Sequence, residues 1–253
     1  HAAGGLPYLI SQLLNTGLLH EDVQTIMGEG LHHFSKQAVL KDGIIGYTEA
    51  PKHSLNQKIL RPIHEPFQMS GGLQNLKGNL GTAVVKISAV AAARRLIEAP
   101  AAVYESQAAV KNAFQSGVLN RDVIVVVRYQ GPSANGMPEL HNLTPFLAIL
   151  QDRGFKVALV TDGRMSGASG KVPAAIHLSP EAADGGPIAQ IKDGDILRLD
   201  ALSGTIDTLA VNWQDRTIMH PDISDNEQGM GRELFSVFRR TAGPASQGAG
   251  VVI

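Results

Sequence analysis

No cysteine occurs anywhere in the 253 residues, so the chain can form neither an internal disulfide nor a cysteine-ligated metal centre of its own. No apolar run approaches the roughly 18 residues that a membrane-spanning helix requires, and no basic segment with a cleavage site opens the sequence. A cytoplasmic location is the default expectation, with no membrane partner. Neither sign of charge is in excess: 22 Lys and Arg against 23 Asp and Glu leave a net charge of −1. The basic surplus that would draw nucleic acid is missing, and nucleic acid is set aside as a partner. An initial methionine is absent too. The chain opens on His1, as a processed or excised piece would, so a residue missing here says little about the parent protein.

What is present reads as an ordinary globular composition, long enough for one large domain or for a main domain with a fragment of another. Residues 6–14 carry apolar side chains at helical spacing after Pro7, and 21–40 continue with Val23, Ile26, Met27, Leu31 and Phe34 at helical intervals, which predicts two helices. Pro51, Pro62, Pro66 and Gly71-Gly72 then interrupt any period over 47–72, and a domain boundary is expected near residue 66. Beyond it, short β-type runs at 83–87, 123–129, 156–160, 196–200 and 205–211 alternate with loops. Helices are expected over 106–114, capped by Ser106, over 142–153, stopped by Gly154, and over 226–239. The unbroken apolar run of residues 123–127 implies a strand covered on both faces, hence a closed or sandwiched sheet. The Gly-, Ala- and Ser-rich tail 242–250 is expected to be loosely ordered.

Two loops after buried strands are where chemistry would sit. In residues 128–139, Gly131, Pro132, Gly136 and Pro138 stiffen a loop presenting Glu139, whose hard carboxylate oxygens suit Mg²⁺; Glu139 could equally cap the helix that follows. Residues 161–171 concentrate glycines around Ser166 and Ser169, letting backbone amides approach an anion or a reacting oxygen, or simply making a tight turn. No phosphate loop is present, because Val172 follows Gly170-Lys171 where a hydroxyl residue belongs and Met165 replaces the first glycine. Arg164-Met-Ser166 likewise lacks the first glycine of a nucleophile elbow, which counts against Ser-His-Asp hydrolysis. His32-His33 would diverge by about 100° on a helix, and His53, His64, His177 and His220 have no metal-binding spacing, so these read as structural or solvated.

Several motifs occur together: Ala3-Gly-Gly-Leu6; Leu76-Lys-Gly-Asn-Leu80 with Val84-Val-Lys86; Arg128-Tyr-Gln-Gly-Pro132; Gly136-Met-Pro-Glu139; Thr161-Asp-Gly-Arg-Met-Ser-Gly167; and Leu178-Ser-Pro-Glu-Ala-Ala183 with Gly185-Gly-Pro-Ile-Ala189. In this order, through nearly the whole chain, they resemble the dihydroxy-acid and 6-phosphogluconate dehydratase family. Gly167-Ala-Ser-Gly-Lys-Val-Pro173 and residues 220–243 side with its sugar-phosphate branch. The resemblance implies a mixed α/β chain in which residues 1–65 are a helical remnant ending an N-terminal α/β domain. Residues 66–253 would then be the whole C-terminal domain, a β-rich, barrel-like swivelling fold with flanking helices. It implies a hydro-lyase that dehydrates 6-phosphogluconate to 2-keto-3-deoxy-6-phosphogluconate, with Ser166 as the base and Glu139 as a Mg²⁺ ligand. Ser169 and Lys171 would hold substrate hydroxyl or phosphate groups, unless Lys171 is merely solvated. The iron–sulfur cluster of the family would take its ligands from outside this chain, which alone should be inactive; the full-length protein would be a homodimer acting on a sugar-acid phosphate. An unphosphorylated sugar acid or dihydroxy acid is the alternative substrate, and a non-catalytic binding or assembly module the alternative role.

Overall fold

In the computed structural model the chain falls into two units, His1–Ser70 and Gly71–Ile253, and residues 1–69, 71–166, 170–218 and 220–251 are described. The first unit opens with α1 (Gly5–Asn15). No second helix follows over 21–40. A two-residue pair, β1 (Gln24–Thr25) with β2 (Gly28–Glu29), and a 3-10 turn at Leu31–Ser35 occupy that stretch. An antiparallel hairpin of β3 (Lys36–Lys41) and β4 (Ile44–Glu49) comes next. The helical spacing is overridden by Gly28 and Gly30, at φ 106° and 101°, and by the Asp42-Gly43 turn with both φ positive, the geometry a two-residue hairpin needs.

The second unit is built on eight strands. They are β5 (Leu73–Gly78), β6 (Gly81–Lys86), β7 (Leu96–Tyr104), β8 (Val123–Val127), β9 (Val157–Thr161), β10 (Ala174–Ser179), β11 (Ile196–Asp200) and β12 (Thr205–Thr208). They form one sheet in the order β12-β11-β7-β8-β9-β10-β6-β5. The four central strands are parallel and each flank ends in an antiparallel pair. Helices α2 (Gln107–Gln115) and α4 (Thr144–Asp152) follow β7 and β8. Ser106 caps α2 by accepting the Ala109 N–H at 3.2 Å, and Gly154 closes the turn after α4 at φ 99°. Between them lies the four-residue α3 (Pro132–Asn135).

β8 shows why the run 123–127 is apolar throughout. Ile124 and Val126 face an inner core with Val85, Val160 and Leu197, whereas Val123, Val125 and Val127 face an outer core with Val110, Leu143, Leu147 and Leu150. Burying each such side chain contributes roughly 1.5–3 kcal/mol, so both faces of the strand hold the sheet in place.

The sheet curls until its two edges meet, and the Leu76–Leu80 motif is the seam. Lys77 N–H donates to the Gly204 carbonyl at 2.9 Å. The Asn79 side chain then acts as a strand would: its amide donates to Thr208 O and its carbonyl accepts Thr208 N–H, both at 2.8 Å. Gly78 has no substitute here, because a Cβ would sit 2.0 Å from the Ile206 carbonyl. The result is a nearly closed, barrel-like sheet.

The C-terminal stretch departs from expectation in two ways. Of the helix over 226–239 only α5 (Ser236–Thr241) forms, preceded by a 3-10 turn at Ser224–Asn226; Gly229 and Gly231 adopt φ of 81° and 80° and break the period. The tail is tied down: Ser246 N–H donates to Ser179 Oγ at 3.2 Å and Gly243 N–H to Gly250 O at 2.9 Å. Replacing Asn79 with alanine strips Thr208 of both backbone partners. We expect urea unfolding to report a loss of ~1–3 kcal/mol, and an unchanged midpoint would show that the seam does not hold the barrel shut.

Candidate active site

The loops after β8 and β9 and the turn after β10 are drawn together by one carboxylate. Asp162, the first residue past β9, is fully buried. Its Oδ2 accepts the N–H groups of Tyr129 and Ala182, both at 3.0 Å, and its Oδ1 accepts that of Gln130 at 2.9 Å. Burial pushes its carboxyl up to about 6, against the pull of the three amides, and the nearby Glu181 adds to the rise. Glu181 repeats the device one step outward, taking Ser133 N–H at 2.7 Å and Ala134 N–H at 3.1 Å at the start of α3. Burial raises this carboxyl as well. Gly131 is required beside it, since a Cβ would lie 2.3 Å from Glu181 Oε2.

Arg128, at the head of the first loop, is spent on structure. Its Nε and Nη2 reach Glu105 Oε1 at 3.1 and 2.9 Å, and its Nη1 donates to the carbonyls of Ala189 and Ile191. Tyr129, Met137 and His177 adopt φ of 59°, 53° and 57°, a left-handed backbone that side chains other than glycine rarely accept. His177 sits where the β10 register shifts, donating its N–H to Gly163 O at 2.9 Å. Burial, and then the charge of Arg164, hold its imidazole below the ordinary value.

On this frame Glu139 and Ser166 come together. Leu140 N–H donates to Arg164 O at 3.1 Å, pinning one loop against the other. Ser166 N–H donates to Glu139 Oε1 at 2.7 Å, and Arg164 Nη1 lies 3.3 Å from Glu139 Oε2. Glu139 is thus turned toward Ser166; the following 3-10 turn, His141–Leu143, has no side-chain cap. Ser166 is exposed and borders a small, mainly apolar recess with Met165, Val172 and Ile176, where Lys86 supplies the cation. Lys171 has a different partner, Asp152 of α4, at 2.5 Å, with both side chains about half exposed. Ser169 lies outside the described residues.

Asp162, Glu181, Arg164 and Lys86 stand in the quoted motifs, yet sequence reasoning gave them no role. A signal existed for Asp162, an acidic residue directly after a wholly apolar strand. For Glu181 and Arg164 it did not, because their partners are distant in the chain, and Lys86 is brought to the recess only by the fold.

The donor set limits what this chain can hold. Among the described residues no three His, Asp or Glu side chains gather as a metal site, so Glu139 offers a hard oxygen ligand without a set to complete it. With no thiolate present, an iron–sulfur cluster does not fit the residues of this chain.

Residues 58–249 match the family described as dihydroxy-acid/6-phosphogluconate dehydratase, C-terminal. A phosphogluconate dehydratase from Pseudomonas aeruginosa is 54% identical over 250 residues, covering 98% of this chain and 41% of that protein. Another, from Escherichia coli, is 51% identical over 251 residues, covering 98% and 42%. A dihydroxy-acid dehydratase from Acetivibrio thermocellus is 37% identical over 211 residues, covering 82% and 35%. The chain therefore spans about two fifths of the length of the curated relatives it matches.

The raised carboxyl of Asp162 has a definite pH signature. A proton bound more tightly in the folded state stabilises it below the ordinary carboxylate range, and that contribution is lost as pH rises through about 6. The unfolding free energy of the wild type minus that of Asp162→Asn should fall by ~2–3 kcal/mol between about pH 4 and 7. A flat difference in urea titrations would refute the burial argument.

Proposed function

Because the chain belongs to the dihydroxy-acid/6-phosphogluconate dehydratase family, we propose that it is the C-terminal part of a hydro-lyase converting 6-phosphogluconate to 2-keto-3-deoxy-6-phosphogluconate. Its residues 1–65 would end an N-terminal α/β domain, and residues 66–253 would form the swivelling C-terminal domain. The contact that carries this reading is the 2.7 Å hydrogen bond from Ser166 N–H to Glu139, which joins the backbone of Ser166 to the side chain of Glu139, the two residues that the family resemblance singles out. Higher identity to phosphogluconate dehydratases than to a dihydroxy-acid dehydratase, 54% against 37%, supports the phosphorylated substrate over the alternative acids.

The reaction breaks the C–H bond beside the carboxylate and the C–O bond of the β-hydroxyl. In this reading Ser166 Oγ, as its anion, takes the proton, the C–H electron pair becomes the C=C bond as the β-hydroxyl departs and takes up a proton, so that water is lost overall, and the resulting enol tautomerises to the 2-keto acid. A serine hydroxyl is a very weak base unless its anion is stabilised. Glu139, as a neighbouring negative charge, opposes that anion; Arg164, paired to Glu139, and Lys86, in the Ser166 recess, favour it. Glu139 would contribute one ligand to Mg²⁺, which when bound neutralises charge growing at the substrate carboxylate. Family cluster ligands have no counterpart here, and no step is assigned to them. Lys171 could meet substrate only by leaving Asp152, an exposed pair worth about 1 kcal/mol or less; Ser169 completes the substrate contacts we assign. The same reading carries an iron–sulfur-dependent, cytoplasmic, homodimeric parent enzyme.

Anaerobic assay of the full-length protein, with cluster and Mg²⁺ loaded, tests it against 6-phosphogluconate, gluconate and a dihydroxy acid. We expect 2-keto acid formation chiefly from the first. Preference for another acid would move the substrate and keep the chemistry, and no product from any would leave a binding or assembly module. Ser166→Ala should lower kcat by ~10²- to 10⁴-fold with the fold and cluster intact, because it removes one exposed hydroxyl; retained turnover would end the proposed role of Ser166.

A further inference from the structure

A second recess lies one residue pair away from Glu139. Asn135 and Met137 form one wall, and Arg232 and Arg239, with the rings of Phe235 and Phe238, form the other. Both guanidiniums are partly buried, and neither makes an ion pair among the described residues. Neutral acceptors hold them in place. Arg232 donates through Nε to Asn226 O and through Nη2 to Asn135 O at 3.0 Å and to Asn135 Oδ1. Arg239 donates through Nη1 to Arg232 O at 2.9 Å. No carboxylate is among the residues lining the recess. Glu233, exposed outside the recess, is committed to the Gly229 N–H at 2.7 Å, which lowers its carboxyl, with a smaller contribution from the charge of Arg239.

Two fixed cations facing one cavity without an acid form an anion site. Guanidinium donors suit a tetrahedral dianion. The position of the recess also matters. Met137 in its wall accepts Arg164 Nε at 2.6 Å, and the same guanidinium contacts Glu139. One arginine side chain therefore separates the recess from the proposed carboxylate end of the site. We propose that Arg232 and Arg239 form the subsite for the substrate phosphate, the chain running from there toward Glu139 and Ser166; this rests on the dehydratase reading above.

Two measurements on the full-length enzyme test the subsite, and the first does not depend on turnover. Calorimetric titration with inorganic phosphate should show binding that weakens ~10-fold or more in Arg239→Gln and partly returns in Arg239→Lys. The second compares kcat/KM for 6-phosphogluconate with that for gluconate. Their ratio should fall by a similar factor in Arg239→Gln, whereas Arg232→Lys, which keeps the charge if Arg232 is needed to fold the loop, should reduce it less. Phosphate binding that is absent or equal in all variants, or an equal loss on both acids, overturns the subsite while Ser166→Ala still judges the chemistry. Phosphate binding that depends on Arg239 in an enzyme without turnover would sustain the anion site and sink the dehydratase reading.

Discussion

Everything at the rim of the barrel depends on a carboxylate kept out of water. Asp162 costs the fold a desolvation penalty, which its three backbone hydrogen bonds offset only in part, as its raised pKa records. In exchange, residues 129, 130 and 182 share one acceptor group, so three loops that follow three neighbouring strands move as one piece. Glu181 passes the constraint on to α3, and α3 leads to Met137 and Glu139. The Glu139–Ser166 contact is thus the far end of a chain of hydrogen bonds that starts at a buried group with no chemical role of its own.

Around Ser166 the balance of charge is close. A carboxylate at its amide works against an anionic hydroxyl, and two cations, one paired to that carboxylate and one in the recess, work for it. Exposure tempers all of these interactions, since solvent screens charges at the surface. In the proposed reading, withdrawal of water from around Ser166 when substrate binds would sharpen each of them and tie the basicity of Ser166 to occupancy of the site.

Local pattern made the barrel legible and left the first unit obscure. Residues 123–127 could be read because a short run that is apolar throughout fits little besides a strand buried on both sides, and the alternation of its side chains between two cores is the physical reason. Residues 21–40 misled because Val23, Ile26, Met27, Leu31 and Phe34 happen to fall at helical spacing, while two glycines at positive φ and an Asp-Gly turn decide the backbone. Strands β7 and β10 carry little local strand signal, since small residues such as Ala99, Ala101 and Ala175 are placed by packing, and β5 mixes Gln74, Asn75 and Lys77 with only two leucines. Within the site, Glu139 and Ser166 were found through family motifs. Composition could not have revealed that Asp162 collects amides from positions 20 to 33 residues away, nor that Arg232 and Arg239 would converge.

Tyr129, Met137 and His177 all hold left-handed backbone without being glycine, at a cost on the order of 1–3 kcal/mol each. They bracket the two loops that carry Glu139 and Ser166, and the surrounding hydrogen bonds over-determine them. The entropy of setting the backbone at these three positions is therefore surrendered when the chain folds, before any ligand arrives. In the proposed reading, a ligand that enters meets backbone already set at these three positions, and more of its binding energy would be left to act on the bonds that must break.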